Sequence, residues 1–386
     1  MVYDTVFEIL KASLFTDEPV DVDDWKSVFA EMKSQTVAGL PAEWMKKHPI
    51  PDAVGWSAYC ALQQGHWIRV MHGQKQLLDL LDKHNIPCVI LKGAAAAMYY
   101  PHPALRSMGD VDFLVKREDL NQAAEVLEAN GYELTDEKDL TKHHFGYSKG
   151  GIHFELHWRI PLVREDDEKW MSFFKVGIDH REYHAIDSIT FPVFPEVLNG
   201  LVLIFHVNQH LREGLGLRQI IDWMMYIHQL PENVWQEQMI PMLEATGMKT
   251  LAFTVTSLCQ TYLGLRQIVE NPETYPYEAL MNFIMEKGNF GRKAGIDGRT
   301  AAFVISSTQK GGFFKRLQAG GLSRWKTAKK YRILRPFAWV YQTFRIIGVF
   351  LQSKMTPRRF AEQRRKGREQ RKLLDELGLS MDRTIH

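Results

Sequence analysis

Two short apolar runs constrain this chain most: IPCVIL at 86–91 and the strand-like DVDFLV at 110–115, in a sequence otherwise patterned largely for helices. A short continuous apolar run with β-branched members reads as a strand buried on both faces. Between the two lie Lys92, Gly93 and an Ala-rich stretch stopped by Pro101, which reads as a short helix. REDLNQAAEVLEANGY reads as the next helix, with Glu118 and Asp119 near its start and Gly131 taking the left-handed conformation at its end. IHFELHW then alternates with period two, sending Ile152, Phe154, Leu156 and Trp158 to one face and His153, Glu155 and His157 to the other. Helical spacing fills VFEILKASLF and HWIRVMHGQKQLLDLLDKH upstream, and EVLNGLVLIFHVNQHL and LRQIIDWMMYIHQL downstream. The expected class is α+β: a helical N-terminal region over 1–84, a small mixed-sheet α/β core over 85–194, and a helical C-terminal region with a basic tail over 195–386.

A chain of 386 residues supports a large core, and 45% hydrophobic with 24% charged residues excludes a mostly disordered protein. Cys60, Cys88 and Cys259 form no CxxC pair, which excludes a disulfide framework and a Cys-rich zinc module. No basic region precedes an apolar run at the N-terminus, and no uncharged apolar run approaches the ~18–20 residues of a membrane span. The expectation is a soluble, cytoplasmic protein without a transmembrane segment. From residue 310 onward 20 Lys and Arg face 5 Asp and Glu, a net of +15, whereas residues 1–309 are net −13. Such a segment suits nucleic acid, an anionic membrane or the protein's own acidic body, and a solvated basic helix is the reading favoured here.

The chemistry concentrates on three strands. Asp110 and Asp112 stand two apart, so both carboxylates leave one face. Unpaired carboxylates that close repel each other, and a divalent cation removes the conflict. Oxygen donors of this kind select Mg²⁺ or Mn²⁺. Glu155, on the polar face of a later strand, is placed to complete an acidic triad. Lys92 and Gly93 end one strand and open a helix, where close-lying backbone N–H groups and an ammonium suit a triphosphate. Arg106 sits four residues before Asp110, placed either to reach the β- or γ-phosphate or to pair with a neighbouring acid.

LKGAAAAMYYPHPALRSMGDVDFLV followed by GGIHFELHW resembles the DNA polymerase beta-type nucleotidyltransferase superfamily. It is more closely similar to the group known as uncharacterised nucleotidyltransferases, with their L-K-G turn, R-x-M-x-D-x-D strand and later E-x-H-W strand. HVNQHLREGLGLRQIIDW resembles that group's helical segment. The resemblance implies a nucleotidyltransferase-like mixed sheet flanked by helices. It implies transfer of a nucleoside monophosphate from an NTP to an acceptor hydroxyl, with release of pyrophosphate. Asp110, Asp112 and Glu155 would hold the metal, Glu155 would aid deprotonation of the acceptor, and Gly93 would lie against the triphosphate. Ala94 stands where the broad superfamily has Ser or Gly, so no hydroxyl reaches a phosphate there. The acceptor is a small molecule or a protein hydroxyl, with nucleic acid not favoured. A catalytically idle binding protein of the same fold and a metal-dependent phosphohydrolase are the alternatives.

Other signals read as structure. His153 and His157 flank Glu155 and suit structural hydrogen bonds. His206 and His210, four apart, can bind zinc but lack the Glu of H-E-x-x-H, and suit a buried hydrogen-bonded pair. Arg218 and Asp222 are spaced for a helical ion pair, or Arg218 points at the nucleotide. PFAWVYQTFRIIGVFL at 336–351 reads as a core helix rather than an interfacial one.

Overall fold

The computed structural model describes residues 2–51, 55–135, 138–140, 142–211, 214–288, 313–325, 327–328, 331–352 and 357–379. Residues 212–213 of the quoted helical segment, and 353–356 and 380–386 of the basic tail, lie outside the described residues. The chain forms two compact units, 1–294 with 377–386, and 295–376.

The first unit opens with helices α1 (Val2–Lys11), α2 (Trp25–Ser34), α3 (Ala42–Lys47) and the long α4 (Trp56–Lys83). Asp24 caps α2, its side chain accepting from the backbone N–H groups of Lys26 and Ser27. Strand β1 (Cys88–Leu91), the short α5 (Gly93–Ala97), β2 (Val111–Val115) and α6 (Leu120–Ala129) follow. Gly131 ends α6 at φ +77°, as its position demands. Strands β3 (Glu133–Leu134), β4 (His144–Lys149) and β5 (Ile152–His157) complete a five-stranded mixed sheet of order β1-β2-β5-β4-β3. The β2–β5 pair is parallel and its neighbours are antiparallel. Beyond it lie α7 (Glu168–Asp179), the hairpin β6 (Glu182–Ile186) and β7 (Ile189–Val193), α8 (Glu196–His210) and α9 (Leu217–Gln229).

One face of the sheet is core. Val111, Phe113, Val115, Phe154 and Leu156 are almost fully buried with residues of α4 and α6. Each such side chain contributes about 1.5–3 kcal/mol by leaving water. The other face carries the polar residues, and α8 and α9 are tied to the segment that crosses its end. Asn199 donates to the Ala95 carbonyl at 2.9 Å, and Gln229 donates to the Tyr99 carbonyl. A Cβ on Gly200 would lie 2.2 Å from the Tyr226 ring, so this glycine lets α8 and α9 approach.

The second unit contains helices over Phe313–Arg324, Ala338–Gln352 and Pro357–Glu376. Trp325 and Tyr341 stack at 5.2 Å. The expected core helix over 336–351 is only partly buried: Ala338 and Gln342 face inward while Phe337, Trp339 and Phe344 are exposed. Among the described residues, no helix is long and apolar enough to cross a membrane.

Candidate active site

The turn after β1 has an uncommon backbone. Lys92 (φ 51°) and Gly93 (φ 39°) are consecutive residues with positive φ, a state that costs a non-glycine residue about 1–3 kcal/mol and persists where the surroundings fix it. An ion pair helps to fix it here: Lys92 Nζ lies 2.7 Å from Asp112 Oδ1. Sheet register assembles the rest. Asp112 is opposite Leu91 on β1 and opposite Glu155 on β5, so the carboxylates of Asp112 and Glu155 leave the sheet side by side.

His157 sits between them. Its Nε2 lies 3.1 Å from Asp112 Oδ1 and 3.1 Å from Glu155 Oε2, with the ring wholly buried. Asp112, Glu155 and His157 each offer a ligand atom within 4.8 Å of the others. Asp110 lies just before β2, exposed at the edge of this group. These donors fit a hard divalent cation, since the position beside Asp112 already holds the positive Lys92 ammonium.

The charges are strongly coupled. Burial alone would push Asp112 up, but Lys92 and His157 outweigh it and hold the carboxyl well below the usual range. Burial alone would lower Lys92 and His157, yet the surrounding carboxylates keep both above their ordinary values. Asp110, though exposed to solvent on its outer side, is raised by desolvation against the protein and then by Asp112 and Glu155. The Lys92 ammonium thus occupies the neighbourhood of Asp112 as its positive partner, with His157 hydrogen-bonded beside it.

Arg106 is placed differently from a phosphate ligand. It is 3% exposed, and its Nε and Nη2 donate to Asp222 Oδ1 and Oδ2 at 2.7 Å each. Tyr100 also donates to Asp222 Oδ1 at 2.7 Å. The acid that Arg106 meets is therefore on α9 rather than beside it in sequence. Of the two placements its sequence position allowed, Arg106 takes the pairing with an acid, and the expected Arg218–Asp222 pair is corrected, since Asp222 is spent on Arg106. Arg218 donates to the Ser107 carbonyl at 3.3 Å and keeps a buried Nε without a hydrogen-bond partner. Burial, then the nearby Arg106, holds its guanidinium below the usual value. His206 and His210 form the buried pair read from their spacing, Nε2 to Nε2 at 2.8 Å.

The structure thus brings together Lys92, Asp112 and Glu155, with Asp110 and Gly93 at their margin, and holds the Arg106 guanidinium on Asp222. Sequence reasoning read His157 as a hydrogen-bonding neighbour of Glu155, which the structure shows, but missed its bond to Asp112 and missed His143 and His144 beside it. The adjacent pair of histidines in KHHFGY was the available signal, since β4 pairs with β5 so that His144 falls opposite His157.

A mixed sheet with acids on adjacent parallel strands, and a glycine turn after its first strand, defines a nucleotidyltransferase-like core. The chain belongs to the uncharacterised nucleotidyltransferase family, whose model matches residues 21–264. Two solved structures are similar to it. One is a solution structure of the antibiotic-resistance factor ANT(2'')-Ia, 13% identical, covering 46% of this chain and 92% of that one with a TM-score of 0.33. The other is a crystal structure of an antigenic nucleotidyltransferase-like protein from Paracoccidioides brasiliensis, 17% identical, covering 52% and 94% with a TM-score of 0.33. No curated protein matches the chain.

Proposed function

We propose that this protein is a metal-dependent nucleotidyltransferase, moving a nucleoside monophosphate from an NTP to an acceptor hydroxyl. The observation that carries this reading is the register pairing of Asp112 with Glu155, with Lys92 on the same carboxylate. Bound Mg²⁺ or Mn²⁺ would supply charge neutralisation at the triphosphate, held by Asp110, Asp112 and Glu155. Lys92, beside Asp112 at the Gly93 turn, would be available to the phosphates where a cation takes over that charge. Arg218, with donor capacity left, is the guanidinium suited to the phosphate chain. His157 fixes the orientation of both carboxylates through Nε2. Glu155 accepts the proton of the acceptor hydroxyl as its oxygen bonds to the α-phosphorus, and the bond to the bridging α–β oxygen breaks to release pyrophosphate.

The test incubates the protein with Mg²⁺ and each labelled NTP, with and without cell extract. Pyrophosphate and a labelled acceptor are expected. Glu155→Gln should lower turnover by about 10²–10⁴-fold, the usual worth of a general base, with little change in NTP affinity. Release of orthophosphate alone would mark a phosphohydrolase. Retained Mn²⁺–NTP binding without turnover would mark an idle binding protein.

A further inference from the structure

Beside the carboxylates lies a second donor cluster with different chemistry. His144 opens β4 with His143 just before it, and His144 falls opposite His157 across the β4–β5 ladder. The three rings gather with centroids 4.7 Å (143–144), 5.1 Å (144–157) and 5.5 Å (143–157) apart. One ring nitrogen from each lies within 4.8 Å of the others. The cluster also has unmet bonding capacity: the Nδ1 atoms of His144 and His157 are buried and have no hydrogen-bond partner. A buried imidazole nitrogen without a partner costs free energy, so such a group normally answers to something bound.

We infer that His143, His144 and His157 form a transition-metal site adjoining the carboxylates, for which Zn²⁺ is the fitting ion. Three imidazoles are a zinc donor set, whereas Mg²⁺ takes carboxylate and phosphate oxygens. Three protein ligands leave the fourth tetrahedral position for water or another oxygen donor. His157 is already oriented as zinc-binding histidines are, with one ring nitrogen held by carboxylates at 3.1 Å. The site shares His157 with the carboxylates, while His143 and His144 take no part in the transfer reading.

The experiment titrates the chelator-stripped full chain with Zn²⁺ against a chromogenic chelator, with Mg²⁺ in excess to fill the carboxylates. One equivalent is expected to bind. His143→Ala with His144→Ala should weaken it by more than the ~10–100-fold that loss of an outer partner costs. His143→Gln, a milder change at a half-buried ring, should weaken it measurably and guards against misfolding of the double variant. Asp110→Asn should keep Zn²⁺ while losing Mn²⁺–NTP binding, which separates this inference from the transfer reading. Co²⁺ should give the strong visible bands of a tetrahedral site in the wild type and lose them in both histidine variants. No uptake by the wild type, or equal uptake by the histidine variants, would overturn the inference.

Discussion

At the scale of single residues, Lys92 decides how the carboxylate site is arranged. It holds a positive-φ backbone and places its ammonium on a buried carboxylate. Lys92→Met removes the charge and keeps the stem, leaving Asp112 buried without its strongest partner. Stripping one member from a buried pair typically costs about 3–5 kcal/mol, so the variant should melt well below the wild type. A cation would then replace the lost charge. Mn²⁺ should therefore raise the melting temperature of Lys92→Met more than that of the wild type, and equal shifts would show that metal and lysine do not share the carboxylate. His206 and His210 make a second residue-scale case. Burial drives His206 well below its ordinary value, and His210 to about 3. Unfolded histidine titrates near 6.5, so the unfolded chain takes up protons first as pH falls. Stability is intact above that pH and is lost below it, by about 1.4 kcal/mol per pH unit for each histidine. Chemical denaturation between pH 7 and pH 5 should show this slope, and His206→Gln with His210→Gln should flatten it.

At the scale of elements, the join between the sheet and the C-terminal helices rests on Arg106, Tyr100 and Asp222. All three are buried, and the guanidinium meets the carboxylate with two bonds. Arg106→Met or Asp222→Leu alone should cost about 3–5 kcal/mol, because each strands a charge. The double variant should cost clearly less than the sum, and additivity in denaturant melts would deny the coupling. The local pattern offered Asp222 a partner four residues away, Arg218, on an exposed-style helical pair. The fold instead takes Asp222 for Arg106, 116 residues distant. A two-pronged pair sealed from water, with a tyrosine hydroxyl added, is worth more than a one-turn contact. The strands divide in the same way. β1, β2 and β5 were legible because their apolar runs or alternation are strong. β4, reading HFGYSK with a glycine and polar residues, and the β6–β7 hairpin carry weak patterns and are stabilised by the strands beside them.

At the scale of the whole molecule, the first unit closes with residues from the far end of the chain. Leu377 and Leu379 belong to it although the entire second unit precedes them, and Leu377 is fully buried. Leu377→Ala should therefore lower the stability of the first unit by about 2–5 kcal/mol, read from hydrogen exchange of the β2 and β5 amides. Unchanged protection there would mean that the C-terminal leucines stabilise only their surroundings. Periodicity by itself determined the helices α1, α4, α6, α8 and α9 and the three central strands, but not α7, because those patterns are written within windows of a few residues. The same local information placed Asp112 and Glu155 on polar faces and Phe113, Phe154 and Leu156 in the core. Only the tertiary structure decided which strand lies beside which, and so that Asp112 faces Glu155, that His144 faces His157, and that Arg106 goes to α9. Those choices turn on burial and on long-range docking, where the energy of a contact depends on neighbours that no local window contains.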